Sequence, residues 1–232
     1  MAELVLLGGQ SGNYYPDPIV RFYDFLCENP AFWRVAADFW SLTKLDDDPK
    51  VWDAEYDRIA RLHSLARHAR SEEFRQILKA INSLQLNECP RGRALEYIVY
   101  RLSPFFTSSS GKTEVQCALY WDEGRGTRVP VASNHATFDV ATLSDTDFEA
   151  FECKLTVRNF LYYGDRLRSE AASKLEFMLL SHHAAQSTGR RSLIFFIGLD
   201  AHPEQLQEKL RQCGHRYVQV LGPRDIARRL SA

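Results

Sequence analysis

The sequence lacks the features that mark secreted, disulfide-rich or zinc-binding chains. Its 232 residues include five cysteines, and it has no Cys-x-x-Cys pair and no His-rich zinc pattern: Cys27, Cys89, Cys117, Cys153 and Cys213. An odd, scattered set predicts reduced thiols in a cytoplasmic protein. The apolar run from Leu4 to Leu7 is short and follows no basic segment. Neither a signal peptide nor a membrane span is therefore predicted.

A strong charge of one sign is also missing. The formal net charge is −1, with 29 Lys and Arg against 30 Asp and Glu. Because no global basic field attracts nucleic acid, such binding would depend on local basic patches and on a metal that bridges substrate phosphates. The run Gly8-Gly9-Gln10-Ser11-Gly12 lacks the Gly-Lys-Ser/Thr of a phosphate-binding loop, so we interpret it as a strand-to-helix turn.

Residues 1–88 are predicted to form a mainly helical region after one short strand. A helical pattern begins after Pro16 and Pro18 and is interrupted at Pro30. A further amphipathic helix is predicted over residues 51–70, with Ser71 as the N-cap of the next helix, which runs to about Leu86. Basic and acidic residues alternate on these two helices. A solvated face explains that alternation, and a surface that contacts nucleic acid is the alternative.

Residues 89–232 are predicted to form an α/β domain with a mixed central sheet. Strands and helices alternate in its second half, which implies parallel crossover connections beside an antiparallel hairpin. The predicted elements are a helix over 92–103, a strand over 114–121, a hairpin within 135–157, a helix over 165–186, a buried strand over 192–199, a helix over 203–213, a strand over 215–221 and a closing helix.

The hairpin carries the most informative residues. If Asp145 and Thr146 are the two-residue turn, Asp139 lies directly opposite Glu152, and directly opposed residues share a face. Lys154, two residues beyond Glu152, returns to that face. Two facing carboxylates repel unless a cation lies between them, and a divalent metal with oxygen ligands fits that position. A longer turn would shift the register and move one carboxylate to the other face.

A simpler interpretation applies to part of this pattern. Glu152 and Lys154 alone are explained by an ion pair on a solvated strand, worth less than about 1 kcal/mol. The matching position of Asp139, together with the apolar residues on both strands, favours a site.

An acidic residue on one strand, a short turn and Glu-x-Lys on the next strand resemble the signature of the PD-(D/E)XK nuclease superfamily. The segment from Gly92 to Leu230 is similar to the restriction-like nuclease domain of CRISPR ancillary nucleases. The matching pieces are Gly92-Arg93-Ala94-Leu95-Glu96, Phe138-Asp139-Val140, Phe151-Glu152-Cys153-Lys154, Lys174-Leu175 and Ser192-Leu193-Ile194-Phe195-Phe196. Phe138 stands where the family has proline, and residues 1–88 do not match the sensor domain for cyclic oligoadenylates. The resemblance therefore extends to the nuclease chemistry and not to ligand control.

The resemblance implies a restriction-endonuclease-like fold and a divalent-metal-dependent nuclease that cleaves DNA or RNA, with a role in phage defence. Asp139 and Glu152 are expected to bind Mg²⁺ or Mn²⁺, with the Cys153 carbonyl as a further ligand, and Lys154 to orient the nucleophile. By resemblance Glu96 is an accessory acid, unless it only pairs with a neighbouring arginine, and Lys174 contacts phosphate. Arg166 and Arg168, in the first half of the helix predicted over 165–186, are expected to contact phosphates too.

Two further hypotheses remain open. The fold is equally compatible with a non-catalytic module that binds nucleic acid or assembles with other proteins. Residues 1–88 are expected to serve regulation, substrate binding, or contact with a second copy of the chain or a partner protein of a defence system. No base-reading module is visible, so DNA and RNA are not distinguished.

Overall fold

The computed structural model describes residues 2–9, 15–45, 47–86, 89–107, 110–124, 126–133 and 136–232. Gln10, Ser11 and Gly12 of the glycine-rich run, residues 87–88 of the predicted boundary and His135 lie outside the described residues. The elements follow in the order β1 (Glu3–Gly8), α1 (Asp17–Glu28), α2 (Phe32–Leu42), α3 (Pro49–Leu62), α4 (Ser71–Asn82), α5 (Pro90–Leu102), β2 (Lys112–Gly124), β3 (Thr127–Pro130), β4 (Phe138–Leu143), β5 (Asp147–Lys154), α6 (Val157–Leu161), β6 (Tyr162–Tyr163), β7 (Arg166–Leu167), α7 (Ser169–Ser187), β8 (Arg191–Gly198), α8 (Pro203–Gln212), β9 (Val218–Leu221) and α9 (Pro223–Leu230).

A mixed sheet in the order β1-β2-β4-β5-β8-β9 forms the centre of the fold, and β3 pairs with β2. The β1, β2, β4 and β5 strands are antiparallel, whereas β5, β8 and β9 are parallel. The predicted α/β class and mixed sheet are therefore confirmed. The apolar strand β8 lies inside the sheet with Ile194 to Gly198 buried, as expected of a strand covered on both faces.

Each face of the sheet has its own apolar core. One core contains the buried side chains of α1–α5, together with Val140 and Phe151 from the sheet. The other lies beneath α6, α7 and α8 and includes Phe138, Phe148 and Phe196. Residues 1–88 are mainly helical, as predicted. The sheet and the first core both continue across the predicted division at residue 88. β1, before it, belongs to the sheet, and α1–α4 share their core with α5.

The predicted hairpin register is confirmed. Val140 pairs with Phe151 and Leu143 with Phe148, and the Ser144 N–H donates to the Asp147 carbonyl at 2.9 Å. Continuing this ladder by one pair puts Asp139 opposite Glu152. Asp145 and Thr146 are therefore the turn, as the sequence predicts.

The β2 and β4 strands change the direction of their side chains at one point. Val115 and Val140 belong to the core beneath α1–α5, but Cys117 and Phe138 belong to the opposite core. Residues two apart in a regular strand share a face, so both strands turn between these pairs. Gln116, the residue in between on β2, has φ +46°, a left-handed conformation that is uncommon outside glycine. Asp139 lies at the matching position of β4 and so at the boundary between the two layers.

Two helices predicted within residues 1–88 have other boundaries in the structure. The helix predicted over residues 51–70 ends at Leu62, because Ser64 adopts φ +60° and the N–H groups of Ser64 and Leu65 bond to the carbonyls of Arg61 and Ala60. These two bonds form a Schellman motif, which ends a helix. The next helix begins at Ser71 and ends at Asn82, and Ser71 is not its N-cap. The Ser71 hydroxyl instead contacts the Tyr56 hydroxyl at 3.2 Å.

Among the described residues, none of the helices combines the length and the apolar character that crossing a bilayer requires.

Ser64 provides a test of this helix end. We expect Ser64→Gly to raise the free energy of unfolding by about 0.5–1 kcal/mol, because glycine adopts a positive φ without the steric cost that serine bears. Chemical denaturation measures this change. Ser83→Gly is the matched control, since Ser83 caps α4 at φ −84° and gains nothing from glycine. An equal gain in both variants would contradict the assigned motif.

Candidate functional site

Asp139 is held at the start of β4 by groups from both neighbouring strands. Its Oδ2 accepts the backbone N–H of Cys153 on β5 at 2.7 Å, and its Oδ1 accepts from Gln116 Nε2 on β2 at 3.1 Å. The residue is 8% exposed. Because donors fix both carboxylate oxygens, the orientation of Asp139 is set by the strand pairing.

Glu152 is buried between two lysines. Its Oε1 lies 2.7 Å from Lys154 Nζ and its Oε2 lies 2.5 Å from Lys174 Nζ on α7. The second contact is an ion pair without hydrogen-bond alignment, so Oε2 has no hydrogen bond among the described residues. Lys174 also donates to the carbonyl of Thr137. Burial raises the pKa of Glu152, and the charge of Asp139 raises it further, while the two lysines lower it.

Lys154 connects the two carboxylates. Its Nζ lies 3.9 Å from Asp139 Oδ2 in addition to the short contact with Glu152. The ammonium also lies 5.0 Å from the centroid of the Phe160 ring on α6. Burial lowers the pKa of Lys154, but the charges of Glu152 and Asp139 outweigh burial and raise this pKa above its usual value. The side chain is therefore an ammonium ion at neutral pH.

A cleft of about 360 Å³ opens beside these residues. It is lined by the N-terminal half of α5 and by the strands, with Glu96, Asp139, Cys153 and Lys154 among its walls. Glu96 is 8% exposed and lies 2.6 Å from Arg93, one helical turn before it. The two interpretations of Glu96 thus coexist, because it pairs with an arginine and also faces the cleft that Asp139 lines. Glu152 does not line this cleft and contacts α7 on the other layer.

Cys153 contributes its backbone rather than its thiol. Burial raises the pKa of the thiol well above its usual value, so the sulfur is neutral and a poor metal ligand. Its N–H points toward β4, where it meets Asp139. In an extended strand the N–H and carbonyl of one residue point to the same side. The carbonyl of Cys153 therefore points to the same edge of β5 as this N–H, the edge that faces β4.

The structure places Arg166 and Arg168 outside the helix predicted for them. Arg166 belongs to β7, which pairs with β6, and Arg168 precedes the first residue of α7. The prediction missed the turn at Gly164, whose φ of +60° suits a tight hairpin. Both arginines are exposed, and among the described residues neither contacts Asp139 or Glu152. Lys174, by contrast, lies within the predicted helix and reaches Glu152 directly.

Sequence reasoning missed Gln116, and it did not identify which arginine pairs with Glu96; the structure shows that it is Arg93. Gln116 stands between Val115 and Cys117, and no pattern in the β2 sequence distinguishes it from the other polar residues of that strand. Arg93 precedes Glu96 by three residues, the spacing at which helical side chains pair. Neither position identifies a site before the sheet register is known.

The site contains oxygen donors of the type that a hard divalent cation prefers, and each carboxylate oxygen already contacts a protein donor or ammonium. Asp139 and Glu152 provide carboxylate oxygens and Cys153 a carbonyl oxygen, the ligand type that Mg²⁺ and Mn²⁺ prefer. Glu152 Oε2 makes no aligned hydrogen bond among the described residues, but it lies 2.5 Å from Lys174 Nζ. No group of three or more His, Cys, Asp or Glu side chains within the described ranges is placed to hold a metal. A metal here would accordingly depend on two carboxylates, a backbone carbonyl and water.

The buried ion pairs allow a test that needs no metal. We expect Lys174→Met to lower the free energy of unfolding by about 3 kcal/mol, because Glu152 loses one of two charge partners in a site closed to water. Adding Glu152→Gln should recover part of this loss, since it removes the uncompensated charge. Chemical denaturation with EDTA present measures both variants.

A matched lysine serves as the control. Lys209 pairs with Asp165, which is fully exposed, at 2.9 Å. Lys209→Met should therefore change stability little. If Lys174→Met were as mild as this control, Glu152 would not depend on its lysines.

No protein-family model matches the chain, and no curated protein sequence matches it significantly.

Proposed function

We propose that the chain is a divalent-metal-dependent nuclease on a restriction-endonuclease-like fold, which hydrolyses phosphodiester bonds of DNA or RNA. One observation carries the proposal. Asp139 and Glu152, from adjacent strands, both contact the ammonium of Lys154. Buried acids paired with one lysine beside a cleft are typical of sites with perturbed protonation and of catalysis.

The residues have distinct roles in this proposal. Asp139, Glu152 and the carbonyl of Cys153 hold Mg²⁺ or Mn²⁺. When bound, the ion lowers the pKa of coordinated water and stabilises negative charge on the phosphoryl group. Lys154 orients the water nucleophile and offsets charge that develops on the phosphate. Glu96, which lines the same cleft, is a candidate to accept a proton from water.

Lys174 takes a different role from the one the resemblance implies. Its ammonium is held between Glu152 and the carbonyl of Thr137 and is only 12% exposed. Its main role is the ion pair with Glu152, and it would contact a phosphate only when that phosphate enters the site. Arg166 and Arg168, exposed on the adjoining hairpin, are better placed for substrate outside the catalytic centre.

A second candidate function is favoured by the balance of charges. Asp139, Glu152 and Glu96 are matched by Lys154, Lys174 and Arg93 in the same region. Structural ion-pair networks in proteins without catalytic activity also bury and pair charges in this way. The alternative is therefore a non-catalytic module that binds nucleic acid or assembles with other proteins through this fold.

Cleavage distinguishes the two functions. We expect the wild-type chain with Mg²⁺ or Mn²⁺ to cleave at least one member of a panel of labelled single- and double-stranded DNA and RNA. Lys154→Ala should reduce the rate at least about 100-fold, because it removes the group that orients the nucleophile and stabilises the developing charge. Gel electrophoresis of the labelled products measures this rate.

The control variant is Lys50→Ala, which changes an exposed lysine in the first turn of α3 and should retain wild-type cleavage. Equal rates for Lys154→Ala and wild type on every substrate would refute the catalytic assignment. Intact substrates throughout the panel would favour the non-catalytic module.

Metal binding can be measured independently of cleavage. We expect millimolar Mn²⁺ to raise the melting temperature of the wild-type chain, since a ligand that binds only the folded state stabilises it. The shift should disappear in Asp139→Asn, which removes a charged ligand, and persist in Asp145→Asn at the exposed turn. Differential scanning fluorimetry with and without Mn²⁺ measures the shift. An unchanged shift in Asp139→Asn would place the metal elsewhere.

A further inference from the structure

A small hairpin connects the two elements that carry the site's lysines. The β6 and β7 strands lie between α6, which follows Lys154, and α7, which carries Lys174. Tyr162 pairs with Leu167 and Tyr163 with Arg166, around the turn at Gly164 and Asp165. The Arg168 N–H donates to the Leu161 carbonyl at 2.9 Å and closes the base of the hairpin.

The two faces of this hairpin differ sharply. Tyr162 is 6% exposed and packs with Leu167 against the core beneath α6–α8. Tyr163 is 78% exposed, the highest value of any large apolar side chain among the described residues. Arg166 shares the outward face with Tyr163, because directly paired residues lie on one side. The guanidinium of Arg168 lies 5.9 Å from the Tyr163 ring centroid. The inward pair contributes to the core, whereas the Tyr163 ring lies in solvent beside Arg168 and shares its face with Arg166.

The charges around the hairpin are mixed. A cavity of about 330 Å³ at its base is lined by Arg158, Asp200, His202 and Lys209, and His202 pairs with Glu204. Of the acids here, Asp165 pairs with Lys209 at 2.9 Å, and Asp200 accepts the N–H groups of Val157 and Arg158. Glu170 is in the first turn of α7. Arg166 and Arg168 have no carboxylate partner within the described residues.

We propose that the outward face of this hairpin, formed by Tyr163, Arg166 and Arg168, binds a single-stranded nucleic acid by stacking an unpaired base on Tyr163. Every base offers a π face to an aromatic ring, and arginine adds both stacking and phosphate contacts. A base inside a duplex is already stacked and cannot cover the ring. The inference rests on the proposed function only in taking nucleic acid as the ligand, and it narrows that ligand to one with unpaired bases near the site.

Binding without metal tests this inference separately from cleavage. The full chain in EDTA is titrated into labelled oligothymidylate, oligouridylate and a duplex of matched length, and fluorescence anisotropy reports the dissociation constants. We expect both single strands to bind more tightly than the duplex. Tyr163→Ala should weaken single-strand binding at least about fivefold through loss of stacking, whereas Tyr163→Phe keeps wild-type affinity.

The arginines are tested by salt dependence. Arg166→Ala and Arg168→Ala should each reduce the slope of log affinity against log salt concentration by about 0.7, the value for one phosphate contact on a single strand. Arg34→Ala, an exposed arginine on α2 in the other layer, should leave the slope unchanged. Leu62→Ala on α3, where the side chain is 67% exposed, is the control for loss of exposed apolar surface. Circular dichroism confirms that each variant is folded.

The outcomes separate this inference from the nuclease. Tyr163-dependent binding of single strands without any metal-dependent cleavage would refute the nuclease and leave the hairpin assignment standing. Equal binding by Tyr163→Ala and wild type, preference for the duplex, or no binding to any of the three nucleic acids would overturn the hairpin assignment, whether or not the chain cleaves. A preference between the oligothymidylate and oligouridylate arms would assign DNA or RNA as the ligand.

Discussion

The contact of one lysine with two buried acids is the constraint on which the site depends. Removing a carboxylate from water is costly unless cations and hydrogen bonds replace the lost hydration. Glu152 is 3% exposed and has Lys154 and Lys174 at its two oxygens. These lysines come from β5 and α7, so Glu152 has both of its cationic partners only when α7 is packed on the sheet. The ion pairs of the site therefore form only when the tertiary fold is in place.

The change of face at Gln116 and Asp139 explains why the site is not confined to one side of the sheet. Asp139 lines the cleft with Glu96, whereas Glu152 meets Lys174 on the opposite layer. Lys154 spans the two environments. A regular pair of strands would direct both acids to one face, where their mutual repulsion would be greater. The change of face leaves both acids in contact with Lys154. Each acid also has a partner of its own, Gln116 for Asp139 and Lys174 for Glu152.

The hairpin register could be predicted because apolar residues flank both strands and the turn sits where the polar tip is. The same approach failed at Ser64 and Gly164, where a single residue with positive φ ends a helix or turns a hairpin. Serine rarely adopts a positive φ, so the residue type at Ser64 does not indicate the end of the helix. The partnership of Lys174 with Glu152 needs the packing of α7, which no local pattern contains. The α/β class and the hairpin register were thus accessible from sequence. The expectation that Asp139 and Glu152 share one face was wrong, because the strands change face at Gln116 and Asp139.

The segment from Lys154 to Lys174 contains both cations that compensate Glu152 and the exposed hairpin between them. Asp200 holds the start of α6 through the N–H of Val157, and the base of the hairpin is closed by the bond from Arg168 to Leu161. These bonds join the base of the hairpin to α6 and α7, the elements next to the site's lysines. A ligand that stacks on Tyr163 would therefore bind beside the segment that carries Lys154 and Lys174. Attachment at both ends limits the conformations of the hairpin and so lowers the entropic cost of ordering it when a ligand binds.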